Sequence, residues 1–205
     1  MEEEETTTNE IDIIRSNLKD MLDARGEDVS YIEEHGDVVE KSRYYNEIIK
    51  LDTDKTTVFF ILNKELLKQW KEEEKSPEEM ATTYKMHNFI LILSETPSPA
   101  MMHFLQDRDK LLQKKPFEGH LQIFYKHELK YNPLKHALTP HHEKLSKEES
   151  DKIMTDYLVK NKTQMPLISK TDVISRWLGL KHGDIVKITR HNETSGTYYY
   201  YRCCM

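Results

Sequence analysis

Apolar residues in this chain come in short dense runs separated by charged stretches. Ile11, Ile14, Leu18 and Leu22 recur at helical spacing and predict an amphipathic helix closing near Gly26. Residues 27–43 are charged and lack a period, which predicts a loop, and Tyr44–Leu51 leans towards strand. Three runs, Thr57–Asn63 (TVFFILN), Asn88–Ser94 (NFILILS) and Leu121–Tyr125, are apolar at nearly every position. A strand of that kind is stable only where both faces of its sheet are covered. Lys64–Lys75 (KELLKQWKEEEK) predicts a covering helix with Leu66, Leu67 and Trp70 on one side. Ser76-Pro77 breaks it and can start another. In Thr96-Pro97-Ser98-Pro99, Ser98 is a good N-cap and Pro99 a good first helical residue. The helix they start carries Met101, Phe104 and Leu105. Residues 11–130 therefore read as one α/β domain, a mixed sheet with flanking helices. The ten residues before it, MEEEETTTNE, are acidic and expected to fray.

The pattern changes after Tyr131. Residues 131–145 contain two prolines and little periodicity, and read as a linker. Ser146 and Glu149 then form a capping box, each side chain serving the other residue's backbone N–H. The helix behind it is expected to bury Ile153, Met154, Tyr157 and Leu158. Thr171 or Asp172 caps a shorter helix that Gly179 ends. Two strands follow in LGLKHGDIVKITRHNETSGTYYYYRCCM, so residues 146–205 read as a small α+β domain. The four tyrosines at 198–201 put an aromatic on both faces of one strand. A strand covered on one side only would leave a row of them in water. Aromatics and Arg are enriched at interface centres, and Lys187, Arg190 and Arg202 offer charge to a partner's carboxylates.

Composition narrows the function. With 37% hydrophobic and 32% charged residues in 205, the core is modest and a second polypeptide can cover part of the surface. The net charge of −6 argues against a self-sufficient nucleic-acid binder, which needs a basic footprint. No run of 18 apolar residues suggests a membrane span, and the acidic start is the opposite of a signal peptide. Cys203 and Cys204 are adjacent and are the only cysteines, which points to a reducing compartment without disulfides.

Candidate chemistry is sparse. His127-Glu128-Leu129-Lys130 begins like a zinc-protease motif, but Tyr131 stands where the second histidine belongs. His136, His141 and His142 have no cysteine or carboxylate at ligand spacing. Glu128 and Lys130, with Asp107 or Asp109 upstream, match the acid-x-Lys pair of metal-dependent nucleases. Glu73-x-Lys75 gives the same pattern, as expected by chance in so charged a chain, so the nuclease stands as an alternative only. An unrelated interaction scaffold is the other. The six glycines match no phosphate-binding fingerprint. The Thr96–Ser98 loop ends in free N–H groups at a helix start, a geometry that can hold a phosphate, though every helix has such an end. Nothing in the pattern calls for a cofactor, a metal or a small-molecule substrate.

A resemblance adds to this reading. Over roughly residues 133–205 the chain resembles the assembly domain of the fifth subunit of eukaryotic multisubunit RNA polymerases, a family with an archaeal counterpart. His136 to Pro140 with His142 resemble the family's short lead-in, and Ser146 to Glu149 its capped helix. Pro166, Ile168, Asp172, Arg176, Gly179, Lys181, Gly183, Val186, Lys187, Ile188 and Arg190 fall at the family's spacing. Glu193, Thr194, Gly196, Tyr198, Tyr201 and Arg202 complete the hairpin. Met165, Val173 and His191 depart from it, where the family usually has Leu, Pro and Pro. Residues 11–130 resemble the family's jaw domain more loosely, through element order and Thr96-Pro97-Ser98.

The resemblance implies a non-catalytic polymerase subunit without cofactor. Its assembly domain docks on the largest subunit, among other core subunits, through Lys187, Arg190, Tyr198, Tyr201 and Arg202. Its jaw brings Thr96, Pro97 and Ser98 near downstream double-stranded DNA, weakly and only within the complex. The divergent, Lys- and Tyr-rich make-up resembles forms carried by large cytoplasmic DNA viruses. That implies host cytoplasm and virion if viral, and the nucleus if cellular.

Overall fold

The computed structural model describes residues 2–30, 38–40, 48–53, 55–61, 67–68, 88–114, 119–194 and 196–205. They fall into two compact units, Met1–Tyr131 and Asn132–Met205.

The first unit is built on a five-stranded sheet in the order β1-β2-β3-β4-β5. Its strands are β1 (Val38–Glu40), β2 (Ile48–Asp52), β3 (Thr56–Ile61), β4 (Asn88–Leu93) and β5 (His120–Tyr125). β1, β2 and β3 pair antiparallel, while β3, β4 and β5 run parallel. The parallel strands are the apolar runs; β3 and β4 are buried on both faces, and β5, at the edge of the sheet, is buried in part. Phe59, Ile61, Phe89, Leu91 and Leu93 pack with Met101, Leu105 and Leu112 of α2 (Pro99–Leu112), the crossover helix between β4 and β5. Val58, Phe60, Ile90 and Ile92, at the alternate positions, are buried as well.

The helix expected from Ile11 is α1 (Glu2–Ala24), which buries Ile14, Leu18, Met21 and Leu22. It starts nine residues earlier than read. The acidic start is helical rather than frayed. Glu10 is held by Lys126 Nζ (2.8 Å) and Lys130 Nζ (2.9 Å), which draw its carboxyl down to about 2. β1 lies inside the stretch read as loop. Three residues are too short to show a period, and pairing with β2 makes the strand. The helix read at Lys64–Lys75 and the start at Ser76-Pro77 lie outside the described residues, except that 67–68 are helical.

The second unit is a four-stranded sheet in the order β6-β8-β9-β7. The strands are β6 (His141–Lys144), β7 (Leu167–Ile168), β8 (Ile185–Asn192) and β9 (Gly196–Cys204). Residues 131–145 are not a linker. They carry a 3-10 turn at Pro133–Lys135, capped by the Asn132 side chain, and then β6, paired with β8 from His141↔Thr189 to Lys144↔Val186. β6 (HHEK) has no apolar position, so only its partner strand reveals it.

α3 (Lys147–Asp156) begins at the Ser146–Glu149 capping box, with both reciprocal hydrogen bonds made. α4 (Val173–Trp177) is capped by Asp172, and Gly179 follows it at φ 61°. α3 and β9 share one cluster around Leu145, Met165, Ile185 and Cys203, joined by Ile153 and Met154. The opposite face packs Ile168, Leu178, Leu180, Val186, Ile188 and Cys204, joined by Ile174 of α4. Tyr157 and Leu158, read as buried, are exposed. α3 ends at Asp156, and Leu158 turns the chain away in a left-handed conformation (φ 54°).

Candidate functional site

β8 and β9 form a regular antiparallel ladder from Ile185↔Cys203 to Asn192↔Gly196. Successive side chains on a strand point to opposite faces. Cys203 and Cys204 therefore enter the two different clusters, and both are fully buried free thiols. Burial pushes both thiols up and closes them off from solvent, the setting of a structural cysteine.

Towards the turn the cover ends. Tyr198 is 39% and Tyr199 53% exposed, on opposite faces of the strand. Arg190 and Arg202 each lie 5.5 Å from the Tyr200 ring. Lys187 sits 4.8 Å over Tyr199 and 3.4 Å from Glu143 of β6. Tyr201 is more internal. It packs against the α3 cluster and stands edge-on to Tyr157 at 5.6 Å, and burial raises its phenol. A shallow groove of ≈ 230 Å³ opens between Tyr157, Val159, Met165, Pro166, Tyr199 and Tyr201.

Of the five hairpin residues singled out in the sequence, Arg190, Tyr198 and Arg202 lie where a partner can reach them, Lys187 is shared with Glu143, and Tyr201 is divided between core and groove. Sequence reasoning missed Tyr157, Leu158 and Leu167, exposed at 61%, 86% and 51%. Helical periodicity placed the first two inside, and the two-residue strand of the third has no pattern to read.

The Thr96–Ser98 loop follows the carboxyl end of β4. Ser98 accepts from the Met101 N–H (3.3 Å) and caps α2, with Pro99 at its first position. Thr96 and Ser98 are exposed and Pro97 is buried.

The four nuclease candidates do not converge. Asp107 pairs with Lys110 at 3.0 Å. Asp109 meets His120 and accepts from the Leu121 N–H (2.9 Å). Burial works to raise the Asp109 carboxyl, but His120, Leu121 and Gln113 together hold it below the usual range. Glu128 accepts from the Tyr125 N–H, and Lys130 is taken by Glu10. Leu121 and Tyr125 lie four residues apart on the same strand, so the backbone groups that hold Asp109 and Glu128 are about 13 Å apart at the rise of an extended chain. Among the described residues no three His, Cys, Asp or Glu side chains gather as a metal site. No described helix is long and apolar enough to cross a membrane.

The second unit coincides with a match to the family described as RNA polymerase Rpb5, C-terminal domain, over residues 131–204. The Rpo5 subunit of DNA-directed RNA polymerase from Pyrococcus horikoshii is 42% identical over 72 residues, 35% of this chain and 87% of the relative. The chain belongs to the Rpb5 family. Among eukaryotic relatives, the rpabc1 subunit of RNA polymerases I, II and III from Dictyostelium discoideum is 41% identical over 85 residues, 42% of this chain. The RPABC1 subunit of Caenorhabditis elegans is 38% identical over 82 residues, 40% of this chain. These matches span 43% and 38% of the two eukaryotic relatives' own length. The Rpb5-family match thus falls on the unit that carries the tyrosine hairpin.

Proposed function

We propose that the chain is a non-catalytic subunit of a multisubunit DNA-dependent RNA polymerase. Its second domain docks on the largest subunit beside other core subunits, and its first domain serves as a jaw bordering downstream DNA. The observation that carries this reading is the coincidence of the family match, residues 131–204, with the domain whose hairpin turns tyrosines and arginines outward. Aromatics and arginines at the centre of a patch are the groups that dominate association energies.

The DNA role is weaker chemistry. A net charge of −6 opposes independent binding, so contact depends on positive field from neighbouring subunits. Thr96 and Ser98 offer hydroxyls at a helix start, which position a phosphate backbone without reading bases. Replacing the exposed Thr96 by Glu should shorten the life of the polymerase on downstream duplex at low salt, with assembly intact. Identical lifetimes across a salt series would remove the DNA role.

The Lys- and Tyr-rich make-up resembles the subunit of African swine fever virus RNA polymerase. A viral form would work in the host cytoplasm and the virion, a cellular form in the nucleus. The deciding experiment for the main reading is affinity purification of the full chain from cells that make it. Recovery of the large polymerase subunits is the expected result. Recovery of the folded chain without them rejects the reading.

A further inference from the structure

The second sheet has an unfinished edge. β7 pairs with β9 only at Leu167↔Cys203 and Ile168↔Cys204. In this parallel ladder the Cys203 N–H donates to the Pro166 carbonyl (2.9 Å) and the Met205 N–H to the Ile168 carbonyl (3.0 Å). The next rung needs residue 166 to donate to the Tyr201 carbonyl. Pro166 has no N–H, so the ladder stops there. Upstream, the chain is a 3-10 turn, Lys162–Gln164, and not a strand.

Backbone alternation decides what is left open. Cys203 directs its N–H towards β7, whereas the Cys204 N–H goes to the Asp184 carbonyl (2.8 Å) on the β8 side. In a regular ladder this parity repeats every second residue, so Tyr201, Tyr199 and Thr197 turn their backbone groups away from β8. Among the described residues no strand lies along them. An edge of this kind is ordinarily blunted by a charge, a proline or a bulge. Here the residues are Thr and Tyr, with none of these devices between 197 and 201.

The two flanks of the edge differ in chemistry. On one lies the groove of Tyr157, Val159, Met165, Pro166, Tyr199 and Tyr201, which is mainly apolar. On the other, Arg190 and Arg202 stack on Tyr200. Arg202 donates from Nη1 to the Leu167 carbonyl at 3.3 Å, and its Nε is buried without an acceptor. Neither guanidinium has a carboxylate partner among the described residues.

We propose that the β9 edge from Thr197 to Tyr201 accepts an extended segment of the docking partner as a fifth strand. Alternate side chains of that segment are apolar and enter the Tyr157–Tyr201 groove, and a carboxylate on its other side meets Arg202. The main-chain bonds hold the segment and the two flanks select it. This inference rests on the reading that the partner is the largest polymerase subunit, and it states how that partner is held.

The test uses the full chain, free and in complex with the co-expressed largest subunit. Amide hydrogen exchange is followed at Tyr199 and Tyr201. Both amides should exchange rapidly in the free chain and slow by about 100-fold or more in the complex, as for strand-paired groups. Two variants separate backbone from side chain. Tyr199→Ala keeps the outward N–H; Tyr199→Pro removes it, and it costs no bond to β8. The proline variant should bind at least about tenfold more weakly than the alanine variant, the loss expected for main-chain strand addition. Protection of the Ile188 amide in each free variant reports that the hairpin is still folded. Should Tyr199→Pro unfold it, the wild-type exchange decides alone. A complex whose Tyr199 and Tyr201 amides exchange as fast as in the free chain overturns the edge proposal and leaves the docking reading standing. Failure of the wild-type chain to bind the largest subunit rejects both. Protection that appears in the free chain and grows with its concentration assigns the edge to a second copy, and overturns the proposal.

Discussion

Cys203 and Tyr199 stand on the same strand and point to the same face, four residues apart, yet one is fully buried and the other 53% exposed. Cys204 and Tyr198 repeat the contrast on the opposite face. The base of the β8–β9 hairpin is covered on both sides, by the clusters that include α3 residues on one and α4 residues on the other. The tip has no such cover. One ladder with continuous register thus serves as core at one end and as surface at the other. Where the covering clusters stop, a two-faced strand passes from core to surface without any change of backbone.

The contrast gives a graded set of expectations. At the base, Ile188→Ala removes a side chain that is 2% exposed and should cost about 3 kcal/mol of second-domain stability by cavity formation. The urea midpoint of that domain's transition reports it, and an unchanged midpoint would mean that the base is not core. At the tip, Tyr198→Ala with Tyr199→Ala should shift folding by less than about 0.5 kcal/mol, as surface changes do. The same pair should weaken the complex with the largest subunit by about 2 kcal/mol, the scale of an interface anchor. A tip variant that unfolds the domain would erase the division. Between base and tip in effect, Ser146→Ala opens the capping box of α3 and should cost about 1 kcal/mol of stability with little change in binding.

The smallest effect is on pH. Burial holds the His142 imidazole below its ordinary 6.5, against the opposing pull of the Pro140 carbonyl that its Nδ1 contacts at 2.6 Å. The unfolded chain then binds this proton more readily than the folded one. Its contribution to stability is present above 6.5 and is lost as pH falls below it. Glu149 is also lowered by its cap, but it acts in the acid range below 4.5. Second-domain stability should therefore drop as pH falls through and below 6.5, and His142→Asn should flatten that drop. An equal drop in the variant would assign it to other groups.

How much of this was legible in the sequence depends on what holds each element. TVFFILN, NFILILS and the run at 121–125 became β3, β4 and β5 because their apolar pattern is itself the cause of burial. Ser98, Ser146 and Asp172 were readable as caps because capping is local chemistry. β6 was not, since HHEK is a strand only because β8 pairs with it. Tyr157 and Leu158 were misplaced because periodicity carries no mark of where a helix ends. The candidate site divides the same way. The tyrosine run signalled a two-faced strand, but its open edge depends on Pro166, which is distant in sequence, sits on no local pattern and meets β9 only through the parallel ladder.

The central claim is that the hairpin tip faces the largest polymerase subunit. A photo-crosslinking residue placed at position 199 of the full chain, inside assembled polymerase, tests it most directly. The expected result is a crosslink to the largest subunit from position 199 and none from the exposed position 107 of α2 on the first domain. Assembled polymerase in which position 199 crosslinks only to another polypeptide, or to none, would contradict the account.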